Sequence, residues 1–183
     1  LPDLNREQVS DIIDEMARSG ATRHIATIVT SPQERILRNL EVIAETVSSS
    51  PELSGAVAGI HLEGPYISDE DGPRGAHNRE FARDPDPAEL EEWIAASRGL
   101  LAIVTLAPER KGSTAFIEKL REAGIVAAIG HTGASPQQIR SAVDAGATMS
   151  THLGNGSHAM LPRLRNYLWE QLAADELHRG LIC

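Results

Sequence analysis

The chain has a single cysteine, Cys183, at its last position. One thiol cannot form an intrachain disulfide, so no disulfide framework holds this protein, and that usage fits a reducing cytoplasm. Positive charge is also short: Lys and Arg number 17 against 26 Asp and Glu, for a formal net charge of -9. That balance excludes the broad basic face a nucleic-acid or acidic-membrane partner needs. It leaves room for a small anionic substrate, because a few arginines can dominate a pocket. No apolar run is long enough to span a bilayer, and no signal peptide is present. Aromatics are few, two each of Phe, Tyr and Trp. Composition is otherwise that of a soluble globular protein, and 183 residues suit one domain with a real core.

What is present is a repeat of apolar strands and amphipathic helices. Strand-like runs fall at residues 22–29, 56–62, 100–106, 125–129 and 148–153. Helical spacing covers residues 5–19, 31–48, 88–97, 113–123, 135–145 and 166–174. Gly124 and Gly146 stand where helix C-termini favour glycine. Near-continuous apolar strands alternating with helices predict a parallel sheet covered by helices. A further strand is expected to begin at Leu181. The chain opens at Leu1-Pro2 without methionine and stops in that apolar run, which reads as a piece of a longer protein. Residues 66–87 break the rhythm: polar, rich in Gly and Pro, and aperiodic. Loops of that length are usually functional or disordered.

Three signatures close three of the strands: Gly59-Ile60-His61-Leu62-Glu63-Gly64-Pro65, Gly130-His131-Thr132 and Thr151-His152-Leu153. Parallel strands would deliver Glu63, His131 and His152 to one rim. One oxygen and two nitrogens are the donors of a catalytic divalent-metal site. Taken singly, each has a plainer reading. Glu63 could pair with Arg74 or Arg79, and either histidine could be a hydrogen-bonded rim residue. Their shared position in the repeat favours the metal. His61, two residues before Glu63, points to the same sheet face and reads as support rather than as a ligand. His77 and His158 fall in loops. Gly154-Asn155-Gly156-Ser157 offers backbone N–H groups to an anion or amide oxygen, or is a plain turn. Arg163 and Arg165 suit a phosphate, or cap Glu170.

These motifs, together with Arg74-Gly75-Ala76-His77 and Val104-Thr105-Leu106-Ala107-Pro108-Glu109, occur in the order seen in the N-acetylglucosamine-6-phosphate deacetylases of the amidohydrolase superfamily. The chain resembles that family over most of its length. The resemblance implies a (β/α)8, TIM-type barrel, of which residues 1–183 would be one partial domain. It would hold strands 2 to 6 and the start of strand 7, and lack the first and last strands. It implies Glu63, His131 and His152 as metal ligands, with zinc first and Fe, Mn or Co as alternatives. Ala76, His77, Asn155, Gly156 and Arg163 match substrate contacts. The implied reaction is hydrolysis of the acetamide of N-acetylglucosamine 6-phosphate to glucosamine 6-phosphate and acetate. The partner would be a small amino-sugar phosphate.

Two departures stand out. Where the family reads Asn-Ala-Met, this chain reads Asn155-Gly156-Ser157-His158-Ala159-Met160. The family's catalytic aspartate would fall beyond Cys183, so no general base is assigned and the chain alone is expected to be inactive. The alternatives are a non-catalytic metal- or sugar-phosphate-binding domain, or an amidohydrolase acting on another N-acyl or cyclic amide. An incomplete barrel exposes strand edges, so self-association is expected.

Overall fold

The computed structural model describes residues 4–182. Leu1, Pro2 and Cys183, which the sequence reading singles out at the chain ends, lie outside the described residues. Six strands form one parallel sheet in chain order: β1 (His24–Val29), β2 (Val57–Glu63), β3 (Leu101–Leu106), β4 (Val126–Ile129), β5 (Met149–Ser150) and β6 (His178–Arg179). Among the described residues the sheet does not close on itself. Seven helices connect and cover the strands: α1 (Arg6–Arg18), α2 (Gln33–Val47), α3 (Pro51–Ala56), α4 (Pro87–Ser97), α5 (Ser113–Glu122), α6 (Pro136–Ala145) and α7 (Tyr167–Ala173). This is the α/β fold, a helix-covered parallel sheet, that the repeat predicts, and it is consistent with the partial barrel that the resemblance implies.

Local chemistry explains the boundaries. Asn5 with Gln8, and Ser135 with Gln138, form capping boxes that satisfy the first free N–H groups of α1 and α6. Gly124 and Gly146 leave α5 and α6 at φ of 72° and 119°, as their sequence positions predict. The sheet and helices close over one apolar cluster that includes Ile36, Leu40, Ile60, Leu62, Val104 and Leu120. Each such side chain contributes about 1.5–3 kcal/mol by leaving water.

Three details differ from the sequence reading. The short α3 is added: Ser50 caps it and Pro51 opens it, but six residues are too few for a helical period. Strand β5 shrinks to two residues. The last strand lies at His178–Arg179 rather than from Leu181. Buried Leu177 anchors the chain just before it, whereas Leu181 and Ile182 are exposed.

The aperiodic stretch after β2 is ordered. Tyr66 and Ile67 are fully buried. The Tyr66 ring meets Trp93 at 5.2 Å and Phe116 edge-on at 5.0 Å, so three of the scarce aromatics pin the loop's root to α4 and α5. The Tyr66 hydroxyl donates to Glu89, which also pairs with Arg83 at 2.9 Å. Burial, reinforced by the Glu89 bond, pushes the Tyr66 phenol well above its usual range. A single 3₁₀ turn at Arg79–Phe81 ends the mobile-looking composition with regular structure.

Candidate metal centre

Because all six strands run parallel, their C-terminal ends share one rim. Glu63 is the last residue of β2, His131 follows β4 by two residues, and His152 follows β5 by two. The three side chains meet there. His131 Nε2 lies 2.7 Å from Glu63 Oε1, and His152 Nε2 lies 3.2 Å from the same oxygen and 3.0 Å from His131 Nε2. The loop adds a fourth group: His77 Nε2 sits 3.2 Å from Glu63 Oε1 and 3.1 Å from His131 Nε2. Glu63, His77 and His131 offer ligand atoms that all lie within 4.8 Å of one another. Both triads share Glu63 and His131.

Neither salt-bridge alternative for Glu63 occurs. Arg74 instead pairs with Asp71 at 2.5 Å. Burial alone would push the Glu63 carboxyl up, but hydrogen bonds from His131, His152 and His77 outweigh it and hold the group far below the carboxylate range. The Glu63 bond, working against burial, raises His152.

The proton inventory tests whether a cation fits. His131 Nδ1 lies 2.9 Å from the Pro73 carbonyl oxygen, which can only accept. Nδ1 therefore carries a proton; Nε2 donates to Glu63 while the ring is doubly protonated, and in the neutral ring its lone pair is free for a cation. Glu63 Oε1 and the Nε2 atoms of His131 and His152 lie within 3.2 Å of one another, and with those nitrogens unprotonated the three suit a divalent cation. Metal–ligand bonds of about 2.0–2.1 Å in a tetrahedron separate the donors by about 3.3 Å. The spacings of 2.7 and 3.2 Å from Glu63 to His131 and His152 would open by up to about 0.6 Å to reach it.

The surroundings hold these rings. Gly75 and Gly156 flank the His131 imidazole; a Cβ on Gly156 would stand 2.7 Å from Nδ1 and 3.1 Å from the Pro73 oxygen. Behind the rim, His61 Nε2 is 2.6 Å from Thr105 Oγ1, which is 2.6 Å from Thr151 Oγ1, the neighbour of His152. This buried chain links β2, β3 and the end of β5. Burial lowers the His61 pKa and favours the neutral ring. Gly130 must lack a side chain for that chain to pass: its Cβ would lie 2.7 Å from Thr105 Cγ2 and 2.9 Å from Thr151 Cβ. His61 thus takes the supporting position expected of it, outside the cluster.

The other sequence candidates are scattered more widely. Ala76 lies beside His77 on the loop and is exposed. Asn155 accepts from Gly156 N at 2.9 Å and is also exposed. Arg163 is exposed, and its carbonyl accepts from Trp169 Nε1 at 2.9 Å. Among the described residues, no hydrogen bond joins Asn155 or Arg163 to the Glu63 cluster. Glu170 pairs with Arg140 at 3.4 Å rather than with Arg163 or Arg165. The residues alone gave His77 no place at the rim, because its aperiodic loop gives no register; the family resemblance named it only as a substrate contact. Sequence reasoning missed the Pro73 carbonyl, a backbone group with no sequence signal.

No family model matches the chain. It is 35% identical over 185 aligned residues to N-acetylgalactosamine-6-phosphate deacetylase of Escherichia coli O157:H7, covering 94% of this chain and 48% of that protein. It is 33% identical to N-acetylglucosamine-6-phosphate deacetylase of Vibrio furnissii, over 86% of this chain and 39% of the relative. The crystal structure of N-acetyl-D-glucosamine-6-phosphate deacetylase from Mycobacterium smegmatis superposes with a TM-score of 0.86 at 35% identity, covering 96% of this chain and 44% of that one. A mutant of that enzyme, in complex with N-acetyl-D-glucosamine-6-phosphate, matches equally well. The chain thus spans less than half the length of these relatives.

Proposed function

We propose, from this chain's kinship with the N-acetylglucosamine-6-phosphate deacetylases, that it carries the metal-binding part of an amidohydrolase. The protein it represents would remove the acetyl group from an amino-sugar 6-phosphate. The observation that carries this reading is the meeting of Glu63, His131 and His152 at one rim, each from a different strand end. These three would hold one divalent ion, zinc by the nitrogen and oxygen donor set. Held there, such an ion would supply Lewis-acid chemistry, polarising an amide carbonyl and making water more acidic.

The chain's own residues supply the rest. The Pro73 carbonyl fixes the His131 tautomer so that Nε2 faces inward. His77, on the loop beside the donors, is proposed as a contact to the sugar. Ala76, Asn155, Gly156 and Arg163 complete the proposed substrate contacts. The altered turn at 154–160 bears on which sugar is taken, and the galacto epimer named for the Escherichia coli relative falls within the same reading.

Proton transfer to the leaving amine needs a further group. Among the described residues, Glu63 is the only carboxylate hydrogen-bonded to the cluster. Asp175 and Glu176 follow α7, and Glu176 pairs with Arg140 at 3.5 Å. The 183-residue chain by itself is therefore proposed to release little or no acetate from N-acetylglucosamine 6-phosphate. Self-association is proposed through the outer side of β1, where Ile25 and Val29 are exposed. No helix among the described residues is long and apolar enough to cross a membrane. A cytoplasmic place is part of the proposal, supported by the lone cysteine.

The test is elemental analysis of purified protein and of a Glu63→Gln, His131→Ala double variant. The wild type should carry Zn²⁺ or a similar ion and the variant none. Unchanged metal stoichiometry in the variant would overturn the donor assignment. Robust acetate release by the wild-type chain, lost on chelation, would overturn its proposed inactivity.

A further inference from the structure

His131 leaves β4 with φ of 49°, a left-handed backbone that is unfavourable for a residue with a Cβ. Something must hold the chain there. The two residues that follow are gripped by one side chain from another strand–helix connection. Thr132 Oγ1 donates to Glu109 Oε2 at 2.5 Å, and the Gly133 amide donates to Glu109 Oε1 at 2.7 Å. Thr132 Oγ1 in turn accepts from Ala134 N at 3.0 Å. Bonds to an ionised acceptor are the strong kind, and this carboxylate makes two at consecutive residues.

Glu109 is itself well placed to act as an anchor. It follows β3, where Ala107 N donates to the Tyr66 carbonyl at 2.8 Å and Arg110 Nε to the Ile67 carbonyl at 2.6 Å. Tyr66 and Ile67 are the buried root of the loop that carries Pro73 and His77. On that loop, Ser68 N donates to the His131 carbonyl at 2.9 Å. One short stretch of chain after β3 thus ties the turn beyond His131 to the loop that accepts its ring N–H.

We infer that Glu109 is a positioning residue for His131: its carboxylate, by holding Thr132 and Gly133, fixes the left-handed turn that aims the His131 ring at the Glu63 cluster. It touches none of the four converging donors and would contact neither metal nor substrate. This inference rests on the metal-site reading above for its consequence in binding, but not for its effect on the ring.

The test compares wild type with Glu109→Ala, Glu109→Gln and Thr132→Val. Glutamine keeps an acceptor for Gly133 N, and its amide can donate to Thr132 Oγ1, so it should restore the grip. Two readouts separate positioning from a plain loop brace. The first is Co²⁺ affinity with its visible d–d bands. Glu109→Ala should weaken binding about 10- to 100-fold, the range seen when outer partners of a ligand are lost, with altered bands. Glu109→Gln should recover most of that loss. The second is the ¹⁵N spectrum of the histidine rings in metal-free protein, where Glu109→Ala should shift the His131 pair and Glu109→Gln should not. Folded Glu109→Ala protein with wild-type cobalt affinity, bands and ring shifts would overturn the inference. If Glu109→Ala does not fold, Thr132→Val decides by the same two readouts. If wild-type protein binds no cobalt, the metal reading falls, and the ring shifts alone decide the role of Glu109.

Discussion

The rim and the outer side of β1 belong to one sheet, yet they are finished to different degrees. At the rim, Glu63, His77, His131 and His152 meet one another, and the Pro73 carbonyl and the Thr105–Thr151 pair hold the setting from behind. Along β1 and α1, Ile12, Ile25 and Val29 are 54%, 41% and 45% exposed and border a groove of about 970 Å³. Polar groups converge where several strands end together, so one half-sheet suffices to gather them. Apolar edge residues need a neighbour on their open side, and the described chain gives β1 one partner, β2. Chemistry of this site is therefore more local than the fold that carries it.

The largest expected effect divides the rim itself. His152→Ala should weaken zinc binding about 100-fold or more, as loss of a direct ligand, while His77→Ala should cost about tenfold or less, within the range of outer contacts. Isothermal titration reads both. Equal losses would make His77 a ligand of the same rank and move the substrate contact elsewhere.

A smaller effect follows from protons. Metal binds only the bare imidazole nitrogen. Glu63 raises the pKa of His152, so its proton competes at a higher pH than an ordinary imidazole's would. Affinity should be full above that raised value and fall as pH drops through it, by up to about tenfold per pH unit for each proton displaced. Flat affinity from pH 8 to pH 6 would show that His152 is no ligand. The β1 side should show no such pH dependence.

The smallest effect on stability should come from the flank. Ile25→Lys places a charge on the exposed edge, the device by which natural edge strands resist pairing. Thermal stability should move by no more than about 0.5 kcal/mol. Any self-association measured by light scattering should weaken. An unchanged oligomer would direct attention to the β6 side, where Leu181 and Ile182 are exposed.

The strand–helix repeat was legible because each run carries its own period and its own stop, such as Gly124 after α5 and Gly146 after α6. Glu63, His131 and His152 were legible for the same reason: parallel strands put their ends in phase. His77, 14 positions after Glu63 on an aperiodic loop, was named by the family resemblance and not by any pattern of its own. Its approach depends on Tyr66 seating between Trp93 and Phe116, a packing event with no short-range pattern. The shortness of β5 and the place of β6 depend on backbone pairing such as His178 N to the Thr148 carbonyl at 2.8 Å, which side-chain hydropathy does not report.

Strands β1 to β6 lie side by side in chain order. Each donor is consequently delivered by its own strand–helix unit, and the turn after His152 meets the others through Gly156, which packs against the His131 ring. The Gly154–Met160 stretch, which differs from the family's Asn-Ala-Met, sits on such a turn. A change in that connector would therefore be felt at the His131 ring unless position 156 kept its glycine.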